Sequence, residues 1–96
     1  MNKYEMMFIV KATMESDQVK ATAENMKNIV TDCGGKVVEF KELGEKKLAY
    51  PIKKEISGYY YVMTLEATKE AESELSRKAG IDENVIRHLI VKLDEE

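Results

Sequence analysis

The stretch Leu43-Gly-Glu-Lys-Lys-Leu-Ala-Tyr-Pro-Ile-Lys-Lys-Glu-Ile-Ser-Gly-Tyr-Tyr-Tyr-Val-Met-Thr-Leu65 decides the fold. Its second half, Tyr59 to Leu65, is a β-branched and aromatic run, and its first half, Lys46 to Ile52, alternates polar and apolar residues up to Pro51. Two such runs joined by a short polar segment predict a β-hairpin. Lys53, Lys54, Glu55, Ser57 and Gly58 are expected in the connection, with Gly58 taking a φ that other residues resist. A lone hairpin is barely stable in water, so the rest of the chain must supply further strands and a cover for the apolar face.

Outward from the hairpin, Lys36 to Leu43 has a period of two, with Val38 and Phe40 on one side and Glu39 and Lys41 on the other. It predicts that the second strand starts here and runs through Tyr50, with a bulge at Gly44. Charge along its length and Pro51 near its end mark an edge strand. Tyr59 to Ala67 has almost no charge before Glu66 and predicts a central third strand. Upstream, Tyr4 to Val10 is apolar on both alternations and predicts a first strand covered on both faces.

Val19, Ala23, Met26, Ile29, Val30 and Cys33 recur at steps of three and four, an amphipathic helix with Ser16 as N-cap and Gly34-Gly35 as its stop. After the hairpin, Thr68 caps a second helix over Lys69 to Ala79, with Ala71, Leu75 and Ala79 on one stripe and Gly80 as terminator. Asp82-Glu83-Asn84 makes a turn into a fourth strand, Val85 to Leu93, and the Asp94-Glu95-Glu96 end is expected to fray. The order βαββαβ, with right-handed crossovers, is the α+β ferredoxin-like arrangement: a four-stranded antiparallel sheet with two helices on one face. The other face is left bare.

The 96 residues, 44% hydrophobic and 34% charged, suit one domain over 1–96. A formal net charge of -3 and a pI near 5.3 exclude nucleic-acid coating by bulk charge, though not a local basic patch. One cysteine permits no intrachain disulfide and no zinc pairing, so Cys33 reads as a small buried residue. The apolar run at the N-terminus is broken by Lys11, too short for a signal or membrane segment, and the chain is read as cytosolic.

No phosphate loop, metalloprotease motif or nucleophile elbow occurs, and His88 is the only histidine, so neither an enzyme nor a cofactor is expected. Basic residues point elsewhere. Lys3, Lys46, Lys47, Lys53, Lys54, Arg87 and Lys92 fall on strands or the hairpin tip, while carboxylates gather on the helices and the C-terminal end, predicting an electrically two-sided molecule. Tyr4, Tyr50, Tyr59, Tyr60 and Tyr61 supply aromatic surface, at least half of it expected to be core. Gly58-Tyr59-Tyr60-Tyr61-Val62 echoes the third-strand motif of RNA-recognition modules without its Lys/Arg-Gly start.

Four blocks in register resemble the bacterial small-subunit ribosomal protein six family: Tyr4-Glu5; Leu43-Gly44 followed by Lys47-Leu48-Ala49-Tyr50-Pro51-Ile52; Gly58-Tyr59; and Asn84-Val85-Ile86-Arg87-His88 leading into Val91-Lys92. The resemblance implies the same fold, no catalytic activity, and a structural role in the cytoplasmic small ribosomal subunit. It also implies binding to small-subunit ribosomal RNA together with small-subunit ribosomal protein eighteen; the charge of Glu39, Lys41, Glu42, Lys46 and Lys47 on the second strand, with Pro51, separately predicts a monomer when free. It places RNA contact on Lys3, Tyr4, Lys46, Lys47, Arg87 and Lys92, with Lys53 and Lys54 at a more variable tip. Where the family commonly has arginine, Lys46-Lys47 keeps charge but loses the bidentate fork. The rival reading is a small-molecule-binding regulatory domain of the same topology, which would need a pocket with convergent polar groups.

Overall fold

The computed structural model describes residues 2–13, 15–52 and 55–93. Six elements follow in order: β1 (Asn2–Lys11), α1 (Ser16–Asp32), β2 (Lys36–Ile52), β3 (Glu55–Ala67), α2 (Lys69–Ile81) and β4 (Val85–Lys92). The sheet order is β2-β3-β1-β4 with every neighbour antiparallel, so β1 and β3 are central and β2 and β4 are the edges. This is the expected ferredoxin-like arrangement. Lys53, Lys54 and the acidic end 94–96 lie outside the described residues.

Alternation on the central strands builds the core. Tyr4, Met6, Phe8 and Val10 of β1, with Tyr61, Met63, Leu65 and Ala67 of β3, are buried under Val19, Ala23, Met26, Ile29 and Val30 of α1 and Ala71, Leu75 and Ala79 of α2. Phe8 stacks on Tyr61 with ring centroids 5.2 Å apart, and Phe40 tilts against both rings. Burial, then Glu42, then Tyr59 push the Tyr61 hydroxyl above its ordinary value, so it remains a neutral packing group.

The ends of the helices are set by hydrogen bonds. α1 closes in a Schellman motif: Gly34, at φ +85°, donates to the Thr31 carbonyl, and Gly35 donates to that of Val30. Its N-cap is Glu15 rather than Ser16, and no side chain caps it. Thr68 does cap α2, its Oγ1 accepting from the Ala71 N–H at 3.1 Å. Gly80 fails to stop α2, which runs on to Ile81. The helix ends where Asp82 turns extended and its Oδ1 accepts from the Asn84 N–H at 2.9 Å.

Several strand expectations are corrected. A bulge between Val37 and Glu39 reverses the alternation of β2, so Val37 and Phe40 pack on the core while Val38 is exposed. The second bulge, at Gly44 with φ +89°, is where the sequence placed it. β1 is covered on one face only: Met7 is exposed, and Ile9 is buried on the bare face by Leu48 and Ile86, with Tyr60 packed alongside. β3 begins at Glu55, earlier than expected, which puts Gly58 inside a strand with no positive φ. Its lack of a side chain serves space instead, since a Cβ there would clash with Ile9 Cγ2.

Candidate nucleic-acid interface

The bare face of the sheet is built by the residues that alternate with the core positions. Register places Tyr60 of β3, Ile9 of β1 and Arg87 of β4 side by side across three strands, with Val62, Met7 and Leu89 forming the next row. β2 reaches the same surface after its Gly44 bulge, where Lys46, Leu48 and Tyr50 share one alternation. Leu48 is buried against Ile9 and Ile86. Opposite edges of the sheet therefore meet: Arg87 Nη1 on β4 donates to the Tyr50 hydroxyl on β2 at 3.0 Å. Lys46 Nζ lies over the Tyr60 ring, 5.7 Å from its centroid. Beside them Met7, Ile9, Tyr60, Arg87, His88 and Leu89 line a concavity of about 360 Å³.

The six residues expected to touch RNA do not form one patch. Lys46, Lys47 and Arg87 lie at the hairpin end, Lys46 and Lys47 on opposite faces of β2. Lys3 pairs with Glu66, and Lys92 with Tyr4, at the other end of the sheet. The six-residue step along β1 from Lys3 to Ile9, the partner of Arg87, spans roughly 20 Å. Lys92 also alternates with Arg87 to the helix side. Tyr4 drops out as a stacking surface because its ring is only 5% exposed within the core, with Asn2 Nδ2 donating to its hydroxyl.

The charge separation is more local than expected. Glu5, Glu39 and Glu66 share the bare face with Lys3, Lys36 and Lys41, and Lys41 Nζ sits 3.8 Å from Glu39. On the helices, Lys27 pairs with Glu24, while Arg77 and Lys78 both pair with Glu74, whose carboxyl is held below its ordinary value chiefly by the Arg77 hydrogen bonds. Among the described residues no ion pair engages Lys46, Lys47 or Arg87. Lys46 has the Tyr60 ring and Arg87 the Tyr50 hydroxyl as neighbour, groups that fix a cation without neutralising it. Tyr50 and Tyr60, expected only as aromatic surface and not among the six RNA contacts, thus join the site, and the parity shared by Lys46, Leu48 and Tyr50 was the available signal.

His88 lies between α2 and β4, its Nε2 at 3.3 Å from Ser76 Oγ. No cluster of potential metal ligands occurs among the described residues.

Comparison with known proteins bears on the family and the fold. The sequence pattern of the family described as Ribosomal protein S6 matches residues 3–92. The chain is 42% identical over 95 residues to the small ribosomal subunit protein bS6 of Acholeplasma laidlawii, covering 99% of this chain and 100% of that one. It is 35% identical over 95 residues, with the same coverage, to bS6 of Caldanaerobacter subterraneus subsp. tengcongensis. The crystal structure of 30S ribosomal protein S6 from Thermotoga maritima superposes with a TM-score of 0.91 at 26% identity, over 96% of this chain and 87% of that one. Matching pattern, end-to-end relatives and a shared fold lead to one statement: the chain belongs to the ribosomal protein S6 family.

Proposed function

We propose that this protein is a structural component of the cytoplasmic small ribosomal subunit that binds small-subunit ribosomal RNA through the hairpin end of its sheet, alongside small-subunit ribosomal protein eighteen. The family is structural and non-enzymatic. The observation that carries the reading is that Lys46 and Arg87 come from opposite edges to one end of the bare face, held by Tyr60 and Tyr50, without a carboxylate partner among the described residues. A cation kept in place and left charged suits a phosphate. Lys47, Lys3 and Lys92 are outlying contacts in this reading, and Tyr4 is a core residue.

The test is binding of a small-subunit rRNA fragment across a salt series with the partner protein present. Each lost phosphate contact lowers the log-log salt slope by roughly 0.7 to 0.9. Lys46→Ala/Arg87→Ala is expected to remove about two such steps, and the helix pair Lys20→Ala/Lys78→Ala none. Equal losses from both pairs would assign binding to general charge.

Free of the subunit, the protein is a monomer in this reading. Glu39, Lys41, Glu42, Glu45, Lys46 and Lys47 line the β2 edge, and Pro51 lies within it, an arrangement that discourages pairing with a second sheet. Sedimentation at micromolar concentration is expected to show a single 11.0 kDa species, and a stable dimer would contradict it.

A further inference from the structure

We infer that the concavity on the bare face is a seat for one unstacked nucleobase of a single-stranded RNA segment, a contact that reads a base where the cations around it read phosphate. The inference rests on the rRNA-binding reading above. On β1 the concavity is lined by the exposed Met7 and by the edge of the covered Ile9, and on the flanking strands by Tyr60 of β3 and by Arg87, His88 and Leu89 of β4. Neighbouring strands lie about 4.8 Å apart, so Tyr60 and Arg87 start roughly 10 Å from one another at the backbone. A planar ring seated beside Met7, between those strands, has the Tyr60 side chain on one side and the Arg87 side chain on the other. Those are the two surfaces on which proteins stack unpaired bases.

Size and charge narrow the occupant. At about 360 Å³ the space is at the lower limit of ligand pockets, enough for one planar ring system. Met7 and Leu89, 37% and 54% exposed, extend the apolar surface beyond it, while the charged groups at its rim, Arg87 and Lys46, are both cationic. An apolar ring carrying an anion fits that pattern, and a nucleotide has both parts. The Tyr50 hydroxyl fixes one arm of Arg87, leaving its other N–H groups to reach the attached phosphate.

Stacking and phosphate contact separate experimentally because stacking releases no condensed counterions. The probes are a six-residue oligouridylate and the abasic ribose-phosphate oligomer of the same length and charge. The native protein is expected to bind the oligouridylate roughly 5- to 100-fold more tightly, as base–aromatic stacking provides, at equal salt slope. Tyr60→Leu, which keeps apolar bulk and loses the π face, should abolish the difference and leave the slope intact. Tyr60→Phe should retain it, which guards against a mere folding defect in the leucine variant. Equal affinity of the native protein for both probes would overturn the base seat while leaving the phosphate patch standing. Loss of all RNA binding, with the rRNA fragment and partner protein included, would bring down the parent reading as well. If the partner protein eliminates the Tyr60-dependent difference, the face is a protein interface and the base seat is rejected.

Discussion

Phe8→Ala should destabilise the protein by about 3 to 5 kcal/mol, the range for removing a fully buried aromatic ring. Phe8 is 0% exposed at the centre of β1, stacked on Tyr61 and within 6.4 Å of Phe40 between ring centroids. The rings lie on three adjacent strands, and the sheet backbone cannot close the space that the missing ring leaves. Leu75, also 0% exposed, is backed by a helix that can shift by a fraction of an ångström, so Leu75→Ala should fall within or below the same range. Urea melts compare the two, and a Phe8→Ala loss under 2 kcal/mol would mean that the core relaxes around the cavity.

Gly58→Ala is the second large effect, and its sign separates two roles for glycine. The new Cβ would clash with Ile9 Cγ2 and lie 3.2 Å from the Val10 carbonyl oxygen. Ile9 Cγ2 is a methyl on a branched carbon, fixed between Leu48 and Ile86, so it cannot swing aside as the end of a long side chain would. Overpacking of this kind costs about 1 to 3 kcal/mol, and a small gain from stiffening the unfolded chain does not offset it. At Gly80, inside α2, a Cβ meets nothing closer than His88 Cε1 at 3.8 Å. Gly80→Ala should therefore stabilise by about 0.5 to 1 kcal/mol through helix propensity. Thermal melts of the two variants should move in opposite directions, and a shared direction would refute the packing account of Gly58.

How much of this was legible beforehand depends on whether a feature is local in the chain. Periodicity located both helices and all four strands. Pro51 and the charge on β2 marked an edge, and Gly44 marked a bulge. The bulge at Val38 was not legible: Lys-Val-Val-Glu-Phe reads equally well in either register, and Phe40 and Leu65 settle it only by contact with α1 and β1. Gly58 was placed in a turn because glycine commonly supplies positive φ, whereas its need comes from Ile9, nearly fifty positions away. The RNA contact at Tyr4 came from the family resemblance, and a rim tyrosine and a core tyrosine have the same sequence. The candidate site was half legible for the same reason. Lys46 and Arg87 were chosen individually, but the arm of β2 that brings Tyr50 to Arg87 is a tertiary event.

That arm has a further consequence. Beyond Gly44, Leu48 is the only buried side chain among the described side chains of β2, and its neighbours Lys46, Lys47, Ala49, Tyr50 and Pro51 are exposed. Detaching the arm exposes Leu48 and the sides of Ile9 and Ile86 that it covers and breaks the Arg87–Tyr50 hydrogen bond and a short ladder, on the order of a few kcal/mol, while the core under the helices stays intact. The arm is therefore expected to open as a local unit, ahead of the core. In hydrogen exchange its amides should lose protection before those of β1 and the middle of β3. Tyr50 and Lys46 travel with it, so the face they complete exists only in the closed fraction, and any ligand bound there slows exchange along the arm first.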